Sequence, residues 1–275
     1  MTHSPTEIRA LLDRHGLSAR RALGQNFAAD PNTVRRIAQL SGVGPGDPVV
    51  EIGPGLGSLT LALLECGASV LAVEMDRDLL PVLAEVVEGR DVRLVEGDAR
   101  RIDWAALLAG RADWKLVANL PYNVAAPLVL DLLRDVPAIT EMLVMVQREV
   151  GERLAAIAPD PAIGVPSVLV ACHGTASIVG QVSPNVFIPR PRVDSALVRI
   201  VRHDQPVLHA PLATVEQLVR AGYGQRRKMI RKSLAGHLSV DQMVAADVDP
   251  QARPETLDVA SWDRLAQVAA TGRLV

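Results

Sequence analysis

Apolar and polar positions follow two different periods between residues 48 and 146. Short apolar runs predict strands at 49–52, 69–74, 92–96, 115–119 and 142–146. Between them, apolar residues recur at helical spacing and predict helices at 59–65, 79–87, 104–108 and 127–133. Strands that alternate with helices are typical of a parallel sheet covered on both faces. Ligands of such sheets bind at the carboxyl ends of the strands, so we expect the chemistry of this chain there.

The pattern changes after residue 146. Three further apolar runs show no convincing helix between them, and we interpret them as antiparallel strands that complete the sheet, at 165–172, 176–182 and 196–201. The segment 183–192 contains too many prolines for a central strand. After a polar break at 203–206 the spacing predicts helices at 212–222, 226–236, 239–246 and 261–271. We therefore predict an α/β domain at 1–204 and a small all-helical domain at 205–275.

Composition allows a real hydrophobic core, because 49% of the 275 residues are hydrophobic and the mean hydropathy is +0.20. The longest apolar run, 59–75, is interrupted by Glu65 and Gly67, so we expect no membrane span. The N-terminus has neither the basic start nor the apolar core of a secretory signal. Cys66 and Cys172 are too few and too far apart for a disulfide framework or a zinc site. We therefore expect a cytoplasmic protein without a metal.

The net charge of −2 gives no global signature of nucleic-acid binding, so any such contact must come from local patches. One basic run contains five cations in seven residues, namely Arg226, Arg227, Lys228, Arg231 and Lys232. In a helix, positions 227, 228 and 231 would share a face. A charge run is usually only a solvated face. A second basic stretch at 190–202 and the interleaved aromatics Phe187 and Tyr223 nevertheless favour RNA, whose phosphates and splayed bases such groups bind.

A glycine loop, Gly53, Gly55 and Gly57, lies between a predicted strand and a predicted helix, where glycine lets a ligand approach the backbone. Glu74 ends the next strand and can accept hydrogen bonds from both ribose hydroxyls of a nucleoside. Asp98 ends the third strand and can accept from an adenine amino group. The Gly-x-Gly-x-Gly spacing with its internal proline differs from the dinucleotide fingerprint and favours S-adenosylmethionine over NAD. Simple structural turns with solvated carboxylates stay an alternative.

The tetrapeptide Asn119-Leu120-Pro121-Tyr122 follows another predicted strand. It places an amide, two backbone carbonyls and an aromatic ring at the carboxyl end of the sheet. Those groups suit a planar amino group, such as N6 of adenine, that is hydrogen-bonded and stacked. Acceptors from the Asn119 side chain and the Leu120 carbonyl would favour a pyramidal, more nucleophilic nitrogen. A methyl transfer to that nitrogen does not require a strong general base.

Seven ordered segments together resemble the small-subunit (16S) ribosomal RNA adenine N6,N6-dimethyltransferase family, over about residues 20–268: 24–27, 50–57, 119–123, 146–150, 187–196, 224–228 and 253–257. The resemblance implies a Rossmann-like S-adenosylmethionine-dependent methyltransferase sheet with a small C-terminal all-helical domain. It also implies dimethylation of two adjacent adenines in the 3′-terminal hairpin of 16S rRNA, within the small subunit or its precursor. The domain at 1–204 would then bind S-adenosylmethionine, and the domain at 205–275 would recognise RNA.

The resemblance further implies roles at individual positions. Cofactor contacts correspond to Asn26, Ala28, Gly53, Glu74, Asp98 and Asn119, and the glycine loop adds Gly55. The target adenine would be held within the tetrapeptide 119–122, with Phe187 stacking on its other face. Ala28 stands where the family usually has leucine. A backbone contact there would be preserved, whereas a side-chain contact would be weakened.

Two rival interpretations stay open. One is a large-subunit rRNA adenine methyltransferase of the antibiotic-resistance type, which shares the cofactor loop and a similar tetrapeptide. The segments 224–228 and 253–257 favour the small-subunit enzyme instead. The other is an RNA-binding assembly factor without turnover, against which the intact Asn119, Tyr122, Glu74 and Asp98 argue.

Overall fold

The computed structural model describes residues 2–20 and 23–271. Within them the chain forms two compact units. The first comprises residues up to Gly151 together with Ser177–Val201, and the second comprises Glu152–Ala176 together with residues from Arg202 onward. The predicted boundary after residue 204 differs from this division, because the segment 152–176 joins the second unit. Val168 and Cys172 of that segment pack into the hydrophobic core of the second unit.

A mixed sheet forms the centre of the first unit. The strands of the described residues are β1 (Phe27–Ala28), β2 (Pro48–Ile52), β3 (Ser69–Glu74), β4 (Val92–Glu96), β5 (Trp114–Asn119), β6 (Ile139–Gln147), β7 (Gly174–Val182), β8 (Phe187–Ile188) and β9 (Ser195–Arg202). Seven of them form the order β4-β3-β2-β5-β6-β9-β7. Strands β2 to β6 are parallel, and β9 is antiparallel to β6. The predicted parallel sheet with an antiparallel end is confirmed.

The direction in which the chain adds strands reverses between β2 and β5. Val49 of β2 pairs with Val70 of β3 on one side and with Lys115 of β5 on the other. Strand β2 is buried along its whole length, as expected for a central parallel strand with both faces covered. Crevices at such a reversal point hold the ligands of open α/β sheets. The loops after β2 and β5, which carry the glycines and the tetrapeptide, therefore begin side by side.

Helices cover the sheet of the first unit. They are α1 (Pro5–Arg14), α2 (Pro31–Leu40), α3 (Ser58–Glu65), α4 (Leu80–Val86), α5 (Trp104–Leu107) and α6 (Ala125–Asp135), and α7 (Arg148–Ala155) crosses the division at Gly151. Helix α1 starts at a capping box in which Ser4 and Glu7 satisfy each other's backbone N–H groups. Its buried Ile8 packs in one cluster with Leu56 of the glycine loop and with Val82 of α4. The N-terminal helix is thus fixed beside the predicted cofactor loop.

The second unit is mainly helical. Its helices are α8 (Val165–Ala171), α9 (Leu212–Gly224), α10 (Ile230–Ser233), α11 (Val240–Ala245) and α12 (Val259–Thr271). Trp262 of α12 is fully buried at the centre of their core. A Cβ atom on Gly222 of α9 would lie 2.6 Å from Cη2 of Trp262, so only glycine allows α9 to approach so closely. The helices predicted at 212–222, 239–246 and 261–271 are confirmed.

The strand predicted at 165–172 is wrong, because this segment forms α8. Its three valines suggest a strand, since β-branched residues are frequent there. The local helix signals are stronger. Pro166 lies in the first turn, where proline is tolerated, and the hydroxyl of Ser167 accepts a hydrogen bond from the Gly164 backbone N–H. Val168 and Cys172, one helical turn apart, then face the same core.

The helix predicted at 226–236 is largely wrong, because only Ile230–Ser233 is helical. The N–H of Ile230 donates to the carbonyl of Ala252 at 2.8 Å, and that of Arg231 donates to Pro250 at 3.1 Å. A continuous helix would need both N–H groups for carbonyls four residues earlier. The segment 225–228 is therefore a turn, and the cations of the basic run do not share one helical face.

The proline-rich segment lies outside the seven-stranded sheet, as predicted. Residues Pro184–Val186 form a 3-10 turn, and β8 pairs with β1, with Ala28 opposite Phe187. Within the described residues, no helix combines the length and apolar character that crossing a membrane requires.

Candidate active site

A pocket of about 240 Å³ opens at the carboxyl ends of β2, β3, β4 and β5, with a further wall from residues 23–28. Its lining includes most residues predicted for cofactor and target binding: Asn26, Ala28, Gly53, Gly55, Glu74, Asp98, Asn119, Leu120, Pro121 and Tyr122. Five separate segments of the sequence thus contribute to a single cavity within the first unit. The role of each residue stays a prediction.

The glycine loop turns the chain sharply from β2 into α3. Gly53, Gly55 and Gly57 have φ angles of 69°, 59° and 83°, a region that favours glycine. Space is also limiting at Gly55, because a Cβ atom there would lie 3.1 Å from Cδ1 of Phe27. The loop therefore packs directly against Phe27, which lines the pocket and whose place in a polar segment is typical of an aromatic that contacts a flat ligand.

Glu74 is almost fully buried at the end of β3. Its Oε2 accepts a hydrogen bond from the N–H of Gly55 at 3.0 Å, and its Oε1 accepts one from the N–H of Asp76 at 2.8 Å. Burial raises the pKa of this carboxyl above its ordinary value, although these backbone hydrogen bonds oppose the shift. Each carboxylate oxygen has a second lone pair. The group can therefore hold the glycine loop in place and still accept from a bound hydroxyl.

Glu51 is a second buried carboxyl in this pocket, and sequence analysis gave it no role. It lies on β2, is 1% exposed, and accepts a hydrogen bond from Oγ1 of Thr60 at 2.6 Å. Burial raises its pKa to about 8, and the nearby charge of Glu74 contributes to the rise. The available sequence signal was an acidic residue at the end of an otherwise apolar strand, directly before the glycine loop.

The side-chain amide of Asn119 is oriented by the N-terminal wall of the pocket. Its Nδ2 donates to the backbone carbonyl of Asn26 at 3.2 Å. The side chain of Asn26 in turn donates to the carbonyl of Gly24 at 3.0 Å, which stabilises the turn at 24–26. This contact orients the amide and leaves its oxygen, the acceptor atom of the side chain, for a ligand.

The remainder of the tetrapeptide is anchored to neighbouring strands. Leu120 is 1% exposed, and its N–H donates to the carbonyl of Met145 on β6 at 3.1 Å. The hydroxyl of the half-buried Tyr122 lies 2.7 Å from Oγ of Ser195, the first residue of β9. Burial raises the pKa of Tyr122 above its ordinary value, although the hydrogen bond with Ser195 opposes the shift. Hydrogen bonds to β6 and β9 thus hold the backbone of Leu120 and the hydroxyl of Tyr122.

Asp98 and Met75 lie at a more exposed part of the pocket. Oδ1 of Asp98 accepts from the N–H of Arg100 at 3.0 Å, and Oδ2 lies 3.8 Å from Nε of Arg101. Met75, directly after Glu74, is 50% exposed and lines the pocket. An exposed methionine next to a cavity offers a polarizable apolar surface to a flat ring. Sequence analysis had not assigned Met75 to the site.

The buried side chain of Asp76 holds the wall of the pocket that residues 23–28 form. Asp76 is 4% exposed; its Oδ1 pairs with Nη1 of Arg20 and its Oδ2 accepts from Nε2 of Gln25, both at 2.7 Å. Arg20 also pairs with Asp78. Because Gln25 lines the pocket, these contacts tie this wall to the chain just beyond β3. Sequence analysis missed this arrangement, since it joins residues about fifty positions apart.

The structure does not bring Phe187 to the pocket. Phe187 is 3% exposed and packs into the core with Val34 and Leu197, so the stacking role predicted for it has no support from its position. Tyr223 is likewise engaged elsewhere, in the second unit. Its ring centroid lies 6.2 Å from that of Trp262, and its hydroxyl donates to the carbonyl of Pro254 at 3.2 Å.

The basic run of the second unit is exposed at every cation predicted to bind RNA: Arg226, Arg227, Lys228, Arg231 and Lys232. Arg226 donates to the carbonyl of Pro161 at 2.6 Å, which fixes one end of the run. The chain has no acidic residue between positions 217 and 240. The run therefore presents positive charge without an acidic neighbour in this part of the sequence.

A family model and several curated relatives match nearly the whole chain. The model of the ribosomal RNA adenine dimethylase family matches residues 16–271. The ribosomal RNA small subunit methyltransferase A of Nocardia farcinica is 46% identical, covering 96% of this chain and 94% of the relative. Its counterpart from Corynebacterium efficiens is 44% identical, covering 96% and 95%.

Solved structures also share this architecture. A dimethyladenosine transferase from Plasmodium falciparum superposes with a TM-score of 0.72 at 22% identity, covering 86% of this chain and 94% of that one. The 23S rRNA methyltransferase ErmE superposes with a TM-score of 0.68 at 25% identity, covering 89% and 100%. The likeness to the Plasmodium falciparum enzyme concerns the fold alone. The likeness to ErmE shows that a 23S rRNA methyltransferase shares the architecture of this chain.

Proposed function

We propose a specific target and specific residue roles, on the premise that the chain belongs to the ribosomal RNA adenine dimethylase family. It is an S-adenosylmethionine-dependent rRNA adenine dimethyltransferase. We infer that it transfers two methyl groups to N6 of each of two adjacent adenines in the 3′-terminal hairpin of 16S rRNA, within the small subunit or its precursor. The observation that carries this proposal is the tetrapeptide at the pocket, with the Asn119 amide oriented by Asn26.

The pocket fits S-adenosylmethionine by the chemistry of its groups. Glu51 and Glu74 are buried there, and neither forms an ion pair with Lys, Arg or His in the portion of the chain that the structure describes. Carboxyls without a cationic partner suit a cofactor that carries sulfonium and ammonium groups. We assign Glu74 to the ribose hydroxyls, Asp98 to the adenine amino group and Gly53 and Gly55 to a close backbone approach. When bound, the cofactor supplies an electrophilic methyl group.

The tetrapeptide would activate and hold the target base. The amide oxygen of Asn119 and the carbonyl of Leu120 accept the N6 hydrogens, which localises the nitrogen lone pair. The ring of Tyr122 stacks on the base and offsets part of the few kcal/mol that extrusion from its stack costs. Its raised pKa and its contact with Ser195 argue against Tyr122 as a base. The proton of the methylated nitrogen then leaves to water, and the chain acts mainly by positioning.

We further assign RNA recognition to the basic run of the second unit. Its exposed cations can neutralise phosphates, whereas Tyr223 anchors its own helix and takes no stacking role. The partner is the small ribosomal subunit or its precursor, and we expect the reaction in the cytoplasm.

A methyl-transfer assay with separate small-subunit particles and 23S rRNA tests the assignment. The wild type should dimethylate adenine in the small-subunit particles only. Asn119→Ala should lower the single-turnover rate about 100-fold or more at saturating cofactor, because one preorganised acceptor is lost. Asn32→Ala on the exposed face of α2 makes the same change away from the pocket and should keep full activity.

Each other outcome supports a different interpretation. Methylation of 23S rRNA would favour the large-subunit alternative; the 23S rRNA methyltransferase ErmE shares this fold. Methylation of neither RNA, with retained RNA binding, would favour a non-catalytic assembly factor. An Asn119→Ala rate within about threefold of wild type would remove Asn119 from the reaction.

A further inference from the structure

The end of the proline-rich segment contacts the tetrapeptide directly. Oγ of Ser195 lies 2.7 Å from the hydroxyl of Tyr122, although 73 positions separate the two residues. Ser195 is fully buried and Tyr122 is half-buried, so the serine end of this hydrogen bond is shielded from water. The segment 187–196 carries part of the family resemblance, yet Phe187 at its other end is buried in the core. Ser195 is the residue of this segment that forms a hydrogen bond with the tetrapeptide.

The backbone of Ser195 is held rigidly. It is the first residue of β9 and pairs with Gln147 at the end of β6. The carbonyl of the preceding Asp194 accepts from the N–H of Arg148 at 2.9 Å, which fixes the approach to the strand. Strand β6 is in turn the parallel neighbour of β5, with Met145 opposite Asn119. The Ser195 hydroxyl thus belongs to the same rigid sheet that carries the tetrapeptide.

Tyr122 itself lies in the turn between β5 and α6 rather than in the sheet. A tyrosine side chain has two rotatable bonds, so a backbone position alone does not fix its ring plane. A hydrogen bond to the hydroxyl fixes χ1 and with it the direction of the long axis of the ring. The hydroxyl lies on the χ2 axis, so the bond favours one ring plane only through the preference of the phenolic O–H to lie in that plane. Because the Tyr122 hydroxyl is the tethered atom, the face of the ring stays available for stacking.

We propose that Ser195 is a positioning residue for methyl transfer, whose hydroxyl holds the Tyr122 ring in the position that receives the target adenine. This proposal rests on the function proposed above. It assigns the serine of the segment 187–196 to target geometry rather than to the cofactor, since Ser195 does not line the cofactor pocket. A preorganised ring improves reaction geometry without adding a new contact to the RNA.

The kinetic test is a double-mutant cycle of Ser195→Ala and Tyr122→Phe. Either change removes the same neutral hydrogen bond, so each should lower kcat on small-subunit particles by about 2- to 12-fold. The double variant should be no slower than the slower single variant, because the interaction is already lost. Cofactor affinity, measured by calorimetry, should stay at the wild-type value in all three.

A matched control uses another buried serine of the same unit. Ser41 is 2% exposed and donates to the carbonyl of Ala38 at 2.6 Å, outside the pocket. Ser41→Ala removes a comparable hydrogen bond and should lower the melting temperature while leaving kcat unchanged. If Ser195→Ala loses activity only together with cofactor affinity and stability, its role is structural and the proposal fails.

A spectroscopic test uses the fact that the chain contains only two tyrosines, at positions 122 and 223. Labelling with 3-fluorotyrosine gives two fluorine signals, and Tyr122→Phe identifies which one belongs to position 122. Ser195→Ala should shift or broaden that signal and leave the Tyr223 signal unchanged. An unchanged Tyr122 signal, wild-type kcat in Ser195→Ala, or additive effects in the cycle would each overturn the proposal. An inactive wild type would instead refute the proposed function, and the fluorine spectra would still test the tether.

Discussion

Replacing Glu51 by glutamine should change how the stability of the ligand-free protein depends on pH. Burial raises the pKa of this carboxyl from 4.5 to about 8 in the folded chain. Between those values the unfolded chain releases the proton while the folded chain keeps it. Because the pKa is higher in the folded chain, the protonated carboxyl contributes its full stabilisation at pH values below the unfolded-state pKa. This stabilisation decreases as pH rises and is lost once pH passes the folded-state pKa. Glutamine does not titrate, so Glu51→Gln removes this dependence.

The size of the effect follows from the two pKa values. At ~1.36 kcal/mol per pH unit, the wild type loses about 3 kcal/mol relative to Glu51→Gln between pH 4.5 and pH 7. Glutamine can still accept the hydrogen bond that Thr60 donates to Glu51, so the comparison isolates the ionisation. Urea unfolding at several pH values should therefore show the variant gaining stability over the wild type as pH rises.

Asp47→Asn provides the control with the opposite sign. The hydrogen bond from Lys115 lowers the pKa of Asp47 in the folded chain. The contribution of Asp47 to stability is therefore present at pH values above its unfolded-state pKa and is lost only in acid. Its difference from the wild type should stay constant between about pH 5 and 8. If the difference for Glu51→Gln is equally constant over that range, Glu51 is ionised in the folded protein, and the reasoning from burial is refuted.

Three further predictions concern the pocket and the basic run. Glu74→Ala should weaken S-adenosylmethionine binding by about 1.5–3 kcal/mol and Glu74→Gln by less, because glutamine still accepts hydrogen bonds; unchanged affinity of Glu74→Ala in calorimetry would remove Glu74 from the site. Asp76→Ala removes the contacts of Arg20 and Gln25 with the chain beyond β3 and should raise the cofactor dissociation rate in stopped-flow measurements, whereas Asp91→Ala at an exposed position should not. Equal dissociation rates would show that the Asp76 contacts do not hold the pocket wall. Replacing the five cations of the basic run with glutamine should reduce the slope of log K against log[salt] for RNA by up to about 3.5–4.5 and leave cofactor binding intact; an unchanged slope with collapsed cofactor binding would make the run a structural element.

Much of the first unit could be predicted because its signals are local. Strands such as β3, Ser69–Glu74, were predicted to the residue, since a buried parallel strand is a short apolar run bounded by turn residues. The strand ends then located Gly53, Glu74 and Asn119 at one edge of the sheet. The pocket composition follows from this periodicity and from the rule that ligands bind at carboxyl ends.

The errors arise where distant contacts override local preference. Valines at 165, 168 and 170 suggested a strand, but Val168 and Cys172 pack in a helical core that only the fold reveals. The run after residue 225 has helical spacing, but Pro250 and Ala252 take the N–H groups that a helix would need. Spacing alone cannot reveal such competitors for hydrogen bonds.

The sequence predicted only part of the site for a related reason. Phe187 is an aromatic in a polar segment, yet pairing of β8 with β1 turns it into the core. The contacts from Asp76 to Gln25 and from Tyr122 to Ser195 join residues far apart in the chain. No sequence spacing indicates either contact.

The positions of the pocket residues along the chain also bear on synthesis. Among the residues that the structure describes, those that line the cofactor pocket all lie between positions 23 and 128, whereas Tyr122 is hydrogen-bonded to residue 195. Translation proceeds from the N-terminus, and chains begin to fold as they emerge. A nascent chain therefore contains these described lining residues before the serine that contacts the target loop has been made. The order of synthesis thus places the residues that face the methyl donor ahead of the residue that positions the target loop, by about seventy residues of translation.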